Sequence, residues 1–284
     1  MELIRAAIPI ALLTFVVSSM LAMGLSLTPR QVAGPLGNLR LVLASLFASF
    51  VVMPLGALAL GSLLQLDQSL SLGLLLLGAA AGAPFLPKLA EIADADLAFA
   101  VGLMVLLMVT TVVFVPIVVP LVLPGVSIEP ARIARSLVLL MLLPLSAALV
   151  FRARFALLAA RIRPALARLS TVALLAFALL VGVSNVRNVL DIFGTRGLLA
   201  GALFIVLGIA AGWLLGGADS RTRRTLALGT GQRNIAAAVV AGREADDPRA
   251  LVMIVVVAII GFVILVPLAR AFGNRSTNST APSG

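Results

Sequence analysis

The stretch Leu226-Ala-Leu-Gly-Thr-Gly-Gln-Arg-Asn-Ile-Ala-Ala-Ala-Val-Val-Ala-Gly242 decides how the chain is interpreted. Its two ends are apolar, as in a membrane helix, but residues 229–234 contain two glycines, two side-chain amides and an arginine. Non-helical backbone at membrane depth is tolerated only where protein surrounds it or where it lines a cavity, because each unpaired N–H or C=O in hydrocarbon costs several kcal/mol. The stretch therefore predicts either a helix interrupted beside a cavity or a short polar loop between two spans.

The composition is that of an all-α polytopic membrane protein. Hydrophobic residues make up 62% of the 284 residues, charged residues make up 11%, and the mean hydropathy is +1.20. Spans of about 20 residues with short loops leave room for about nine or ten helices. From the apolar runs we predict nine transmembrane helices in one membrane domain over residues 1–270. Residues 271–284 are rich in Ser, Thr and Asn and are predicted to form a disordered cytoplasmic tail.

Residue types that are absent narrow the possible functions. The chain has no cysteine and no histidine, so thiolate metal sites, disulfides and the commonest metal ligand and proton shuttle are missing. We expect no metal site and no cofactor. The predicted spans hold no paired carboxylates and no nucleophile beside a base, so we do not expect an enzyme. The net charge of +10 lies mostly in arginine clusters between apolar segments, which is a topology signal and not a nucleic-acid footprint.

The most basic linker sets the predicted orientation. Residues 152–168 contain five arginines and no acidic residue, which predicts the cytoplasmic side of a multi-pass inner-membrane protein. An amphipathic helix lying at the interface is compatible with the same orientation. With nine helices, the N-terminus is then outside and the C-terminus cytoplasmic. The acidic loops fall on the outer side, namely those with Asp67, Glu129, Asp191 and residues 244–247.

A second interrupted segment is predicted earlier in the chain. Residues 70–93 begin as a short apolar run and break at Ala83-Pro-Phe-Leu-Pro-Lys88, since Pro84 and Pro87 prevent a continuous helix. The segment at residues 222–242 lies in the corresponding place of the second half, and each segment is followed by one long span. Such a pair of interrupted segments indicates a transporter-type binding site at the membrane midplane between inverted repeats.

Each break carries a cation. Lys88 follows the first break and Arg233 lies in the second, between Gln232 and Asn234. A charged residue at membrane depth is a functional-site hypothesis by default, and helix N-termini at the breaks would add partial positive charge, which favours an anionic ligand. For Lys88, snorkelling or an ion pair with Glu91 is an equal alternative.

Three short motifs resemble those of the bile acid/sodium symporter family. Met23-Gly-Leu-Ser-Leu27 is similar to its Met-Gly-Leu-Thr-Leu signature, Phe50-Val-Val-Met-Pro54 to its Gln-Phe-x-x-Met-Pro, and Thr230-Gly231 with Asn234 to its Glu-x-Gly-x-Gln-Asn crossing motif. The resemblance implies a core domain with two crossing broken helices, a panel domain beside it, and alternating-access transport of organic anions across the lipid bilayer. The chain resembles the nine-helix members.

The departures from that family concern its sodium ligands. By position, the family glutamate falls on Gly229, the crossing glutamine on Arg233, and the glutamine before Phe50 on Ser49. The Ser-Asn pair of the first break and the hydroxyls of the following span fall on four residues without a suitable oxygen, which are Leu86, Pro87, Ala100 and Met104. Hard cations need oxygen ligands, so the resemblance implies a family site that has lost its sodium chemistry.

We therefore expect a secondary transporter of a small organic anion in which Arg233, with Lys88, replaces the sodium charge. Arg233 either holds the crossing together or binds the substrate. Transport is then uniport, exchange or proton-coupled, with Glu91 the nearest carboxylate for a coupling proton. The alternatives are a sodium-coupled symporter of bile-acid-like anions, a passive channel or a membrane enzyme. The candidate binding residues are Arg233, Lys88, Gln232, Asn234, Thr230, Gly229, Gly231, Ser49 and Glu91, with Pro84 and Pro87 as helix breakers.

Overall fold

The computed structural model describes residues 2–28, 37–122, 130–184, 186, 192 and 195–279, and within these ranges it contains helices and no strand. Glu129, Asp191 and residues 280–284 lie outside the described residues. The helices are α1 (Glu2–Gly24), α2 (Leu39–Phe47), α3 (Met53–Leu63), α4 (Gln68–Ala79), α5 (Leu86–Ile92), α6 (Leu97–Val122), α7 (Pro130–Leu137), α8 (Leu143–Arg154), α9 (Ala156–Ser184), α10 (Gly197–Leu215), α11 (Ser220–Gly231), α12 (Ile235–Glu244) and α13 (Pro248–Ser279).

Seven stretches of the described chain are long and apolar enough to cross a membrane. They are Ala7–Gly24, Leu39–Leu63, Leu97–Leu121, Pro130–Arg154, Ala156–Ser184, Gly197–Leu215 and Pro248–Asn274. The protein is thus a helical, multi-pass membrane protein. The two predicted broken segments are not among the seven, because they divide into the short helices α4 and α5 and the short helices α11 and α12. The predicted total of nine counts these two segments as crossings.

Two single turns of π-helix interrupt otherwise long spans. Residues Ala48–Val52 form a π-turn between α2 and α3, and residues Val138–Leu142 form one between α7 and α8. A proline follows each turn, Pro54 in the first case and Pro144 in the second. A proline has no N–H to donate to the preceding helix, so the local hydrogen-bond register shifts at these points.

The first break begins at residue 80, four residues before Pro84, the first of the two prolines expected to cause it. Helix α4 ends at Ala79, and residues 80–85 are non-helical with Gly82 at φ +78°. Pro87 lies in the first turn of α5, where a missing N–H costs nothing. The prediction that Pro84–Pro87 forms the break was therefore wrong in extent. The carbonyls of residues 80–82 leave the helix because they accept hydrogen bonds from distant side chains and backbone, as described below.

The second break is shorter than its sequence suggested. Helix α11 continues through Gly229 and Gly231, so only residues 232–234 are non-helical, and α12 starts at Ile235. The two glycines serve close packing and do not interrupt the helix. An added Cβ at Gly231 would lie 2.8 Å from Ile209 Cγ1 on α10, so this position requires a residue without a side chain.

Both interrupted segments end in the same kind of turn. After α5, Ala93 is the C-cap, Asp94 has φ 46°, and Asp96 accepts the N–H of Phe99 at the start of α6. After α12, Ala245 is the C-cap, Asp246 has φ 49°, and Asp247 accepts the N–H groups of Arg249 and Ala250 at the start of α13. This likeness between the two halves was not predicted from the sequence.

Helix α13 continues beyond the predicted end of the membrane domain. It is helical to Ser279, whereas the sequence led us to expect disorder from residue 271. The aromatic ring of Phe272 explains why the helix continues past Arg270. It stacks on Trp213 of α10 with centroids 5.4 Å apart, and the Arg224 guanidinium lies 6.0 Å from the Phe272 ring centroid.

Candidate binding site at the two helix breaks

The two breaks are joined to each other by hydrogen bonds through Asn234. Its backbone N–H donates to the Ala80 carbonyl (3.0 Å), and its Nδ2 donates to the carbonyls of Ala81 (3.3 Å) and Gly82 (3.0 Å). Its Oδ1 accepts the N–H of Ala237 and so caps α12 (3.1 Å). One buried amide thus satisfies backbone groups of both breaks, which membrane depth requires.

Arg233 lies at the junction with only 4% of its surface exposed. All its hydrogen-bond partners are backbone carbonyls. Nε donates to Leu77 (2.9 Å), Nη2 donates to Gly78 (2.6 Å) and Ser49 (3.2 Å), and Nη1 donates to Thr230 (3.4 Å). Three of these carbonyls belong to the last turns of α4 and α11, where helix carbonyls lack intrahelical donors and carry partial negative charge.

The fourth carbonyl is free because of a proline. In the π-turn, the N–H of Met53 donates to the Ala48 carbonyl, five residues back. The next carbonyl in that register, Ser49, would need an N–H from Pro54, which has none. The Ser49 carbonyl accepts from Arg233 instead. Pro54 of the Phe50-to-Pro54 motif therefore leaves the Ser49 carbonyl free to accept a hydrogen bond from Arg233.

The position that the resemblance gives to a glutamate is surrounded by hydrocarbon. A Cβ built on Gly229 would lie 3.1 Å from Leu86 Cδ2 and 3.2 Å from Leu103 Cδ2. Ala100 and Met104, to which the resemblance assigns the family's hydroxyl positions, are 0% and 1% exposed. Of the residues carried over by sequence position, Leu86 lies against Gly229, and the carbon atoms of Leu86 and Leu103 enclose that place.

A small cavity adjoins Arg233. It has about 20 Å³ of room for the centres of water-sized molecules, enough for one or two ordered waters. Its walls are apolar apart from Gln232 and Arg233, and the Oε1 of Gln232 is buried with no hydrogen-bond partner in the described chain. The remaining lining residues are Leu77, Leu89, Ile205, Gly231, Ile235, Val257, Ala258, Gly261, Phe262 and Leu265.

Two further buried oxygens lie close to the arginine. The hydroxyls of Ser49 and Thr230 have no hydrogen-bond partner among the described residues, although the backbone carbonyls of both residues bind Arg233. Buried polar atoms are normally paired. The junction therefore keeps unused hydrogen-bonding capacity around a cation whose own partners are all backbone oxygens.

Lys88 and Glu91 do not join this buried site. Lys88 Nζ lies 3.0 Å from Glu91 Oε2, and the two side chains are 56% and 61% exposed. Of the two interpretations of Lys88, the structure favours the ion pair with Glu91 on the surface. The structure brings together Arg233, Gln232, Asn234, Thr230, Gly231 and Ser49 around the junction, with Gly229 on the adjacent turn.

Thr111 is a junction residue that the sequence reasoning missed. Its Oγ1 accepts the N–H of Ala81 (2.9 Å) and donates to the Ala81 carbonyl (3.1 Å). The side chain is fully buried in α6. In the sequence, this site is marked by two neighbouring hydroxyl residues, Thr110 and Thr111, in the middle of an otherwise apolar span. The resemblance instead assigned the hydroxyl positions of this span to residues 100 and 104.

Comparison with known proteins agrees with the motifs noted in the sequence. No curated protein matches the chain at a significant level. A model of the sodium bile acid symporter family matches residues 12–192, which is well over half of the chain and includes the π-turn and the first break. The match ends before the second break, where Arg233 lies. On this evidence the chain belongs to the sodium bile acid symporter family.

Proposed function

We propose that the protein is a secondary transporter that moves a small organic anion by alternating access and does not use sodium. The observation that carries this proposal is the set of four backbone carbonyls bound by the Arg233 guanidinium. The positive charge that a sodium ion would bring to the junction is supplied by a side chain. It stays there in every step of a transport cycle.

Two features argue against a sodium ion at this junction. The carbonyl oxygens best placed to coordinate a hard cation already accept from Arg233. A sodium ion about 4 Å from the guanidinium would be repelled by about 4 kcal/mol at an effective dielectric constant of 20. The neighbouring position at Gly229 lacks a carboxylate and faces Leu86 and Leu103, and leucine carbons cannot replace the oxygen ligands that sodium needs.

The charge balance of the junction favours an anion. None of the hydrogen-bond partners of Arg233 is a carboxylate, so its charge is stabilised but not neutralised. The cavity beside it also borders Ile235, the first residue of α12, where a helix N-terminus adds partial positive charge. Apolar walls from α10 and α13 suit the carbon body of an organic anion. The cavity holds only water-sized molecules in this conformation, so substrate entry requires these walls to separate.

Matching contacts at the two ends of the interrupted segments support an inverted repeat. Asp67, the N-cap of α4, forms an ion pair with Arg249 at the start of α13 (3.0 Å). Arg221, in the first turn of α11, forms one with Asp94 after α5 (3.6 Å). In each case the start of one interrupted segment meets the turn that follows the other. Together with the shared Ala-Asp turns, this supports two crossing segments, nine membrane crossings in total and a core built from related halves.

A panel domain is proposed from the packing of the remaining helices. Helix α1 packs mainly on α8 and α9 and not around the breaks. Gly24 lies so close to α8 that an added Cβ would be 2.6 Å from Ala148 Cβ. The basic residues at the α8–α9 junction support an N-terminus outside and a cytoplasmic C-terminus.

Among coupling mechanisms, the geometry favours uniport or exchange. Glu91, the carboxylate considered for a coupling proton, is on the surface beside Lys88, away from the buried junction. A passive channel would require like side chains around a pore, whereas the polar residues here converge on one enclosed point. Sodium-coupled symport is the main alternative to this proposal. It is the mechanism that the family implies, but the residues at the family's ligand positions in this chain do not fit it.

Reconstituted protein separates these possibilities. A thermal-shift screen of small carboxylates and sulfonates first identifies a stabilising anion, and its radiolabelled form is then used for counterflow in proteoliposomes. We expect saturable counterflow of equal rate in sodium and in choline buffer. Loss of counterflow in choline contradicts the proposal and supports sodium coupling. A rate that rises linearly with substrate concentration, without counterflow, indicates a channel.

A further inference from the structure

The beginning of α9 carries a basic surface that the junction does not use. With 29 residues, α9 is about 43 Å long, which exceeds a hydrocarbon core of about 30 Å by about 13 Å. The predicted linker over residues 152–168 is therefore largely part of this helix. It contributes Arg161, Arg163 and Arg168, and Arg154 ends the preceding helix α8. The sequence has no acidic residue between Glu129 and Asp191 to neutralise them.

The arginines continue the outward apolar face of α9. Arg161 and Arg168 are seven residues apart and so lie on the same side of the helix two turns from each other. Val172, Leu175 and Leu179 follow Arg168 at spacings of four, seven and eleven residues on that side. These three side chains are 63%, 64% and 67% exposed, which identifies the face turned away from the protein. Two arginines thus lie on the same side as the exposed apolar face of a helix long enough to cross a membrane.

This end of α9 is held firmly on the fold. Ala159 is fully buried against Leu25 of the α1 end and Ala148 of α8. In the adjoining helix α8, Arg152 Nη1 donates to the Leu25 carbonyl (2.8 Å). A basic surface on a fixed helix loses less conformational entropy on binding than one on a free segment.

The basic surface, defined as Arg154, Arg161, Arg163 and Arg168, is available for an external partner. All four residues are exposed, and within the described chain none of their side chains forms a hydrogen bond or an ion pair. We propose that this surface binds the phosphate groups of anionic phospholipids in the surrounding bilayer. Guanidinium groups match phosphate oxygens with paired donors, and the flexible stem lets Arg168 extend from the apolar boundary to the headgroup layer. The shared face of arginines and lipid-exposed side chains favours a lipid over a soluble polyanion.

The proposal does not depend on the transported substrate and is tested by lipid binding alone. The full chain in detergent is titrated with phosphatidylglycerol and, separately, with phosphatidylcholine of the same acyl chains, and bound lipids are counted by native mass spectrometry. We expect preferential binding of phosphatidylglycerol. Substitution of Arg161→Gln with Arg168→Gln should weaken that binding roughly 30-fold, since each arginine near an anionic surface contributes roughly fivefold.

Matched variants make the result specific. The double variant Arg196→Gln/Arg243→Gln removes the same charge from two exposed positions outside the basic surface, at the start of α10 and at the end of α12. It should leave the affinity for phosphatidylglycerol unchanged. Arg161→Lys with Arg168→Lys keeps the charge and should bind within a fewfold of wild type. Equal binding of the two lipids, or equal affinity of the Arg161→Gln/Arg168→Gln variant and the wild type, overturns the proposal. Binding of soluble glycerol phosphate as strongly as phosphatidylglycerol overturns the lipid as partner.

Discussion

At the scale of single residues, Arg233 connects separate parts of the chain at the junction of the two breaks. A guanidinium has five donors in a planar fork, and four hydrogen bonds connect it to α4, the π-turn and α11. Hydrogen bonds reduce the cost of burying a charge. The carbonyl ends of two helices and the proline-freed Ser49 carbonyl provide these hydrogen bonds, so we expect the arginine to hold the junction together.

Removal of the guanidinium should therefore destabilise the protein strongly. Arg233→Ala leaves the buried carbonyls of Gly78, Ser49 and Thr230 without this donor, each at about 1–3 kcal/mol. The Leu77 carbonyl still accepts the N–H of Ala80. We expect the apparent unfolding temperature in detergent to fall by about 10 °C, with partial recovery on addition of methylguanidinium, which fits the vacated space. The measurement is thermal unfolding of the purified protein.

An exposed arginine serves as the control for that measurement. Arg243→Ala removes the same charge from the last turn of α12 and should change the unfolding temperature by no more than about 2 °C. If Arg233→Ala behaves like Arg243→Ala, the guanidinium does not hold the junction, and the sodium-independent mechanism loses its support.

At the scale of helices, a row of glycines positions the second interrupted segment. Gly208 and Gly212 of α10 and its C-cap Gly216 recur every four residues, and an added Cβ at each would lie 2.3–2.8 Å from backbone atoms of α11. Small residues at this spacing allow membrane helices to approach closely. Helix α11 is thereby held against α10 along its length, which places Thr230 and Arg233 at the junction. The pattern is visible in the sequence but was not noted there.

A single added methyl group tests this packing. At Gly212 a Cβ would lie 2.3 Å from the Leu226 carbonyl oxygen, so Gly212→Ala must push α10 and α11 apart at a cost of about 1–3 kcal/mol. We expect a lower unfolding temperature in detergent. Gly182→Ala adds the same methyl in α9 where no atom lies within 4 Å and should cause no loss. Equal stability of the two variants would contradict close packing of α10 on α11.

At the scale of the whole molecule, one cluster links the proposed panel to the second interrupted segment. Glu244 at the end of α12 accepts from Ser136 on α7 (2.8 Å) and lies 3.6 Å from Arg132 on the same helix. These contacts lie on the side proposed to be outside. Alternating access requires the panel and the core to separate on each side in turn, so this cluster should favour the state that is closed on that side.

Loss of the Glu244 carboxylate should raise the population of the state that is open on the proposed outer side. An exposed ion pair stabilises the state in which it forms by up to about 1 kcal/mol. Its loss therefore changes the ratio of open to closed protein by roughly fivefold. The chain lacks cysteine, so Ile133→Cys on the buried face of α7 gives a single reporter. In that background, Glu244→Ala should raise the rate of labelling by a membrane-impermeant maleimide two- to fivefold, whereas Arg243→Ala should not. An unchanged rate would exclude Glu244 as a restraint on opening.

The sequence by itself determined the class of protein, the family and the approximate place of both breaks. These follow from local properties: apolar runs long enough for a membrane, prolines and glycines that punctuate them, and polar residues where lipid would not tolerate them. It also singled out Arg233, Gln232 and Asn234, because a charge and two amides inside an apolar segment are conspicuous without any structure.

Only the tertiary structure decided what these residues contact. Arg233 and the Leu77 carbonyl are 156 positions apart in the sequence. No local sequence pattern predicts which backbone carbonyl will accept a hydrogen bond from a distant arginine. The same holds for Thr111, whose hydroxyl satisfies Ala81 across 30 positions, and for Lys88, whose place beside Glu91 depends on which side of α5 is buried. The limits of the breaks also depend on distant donors, because a helix ends where its carbonyls find better partners elsewhere than in the next turn.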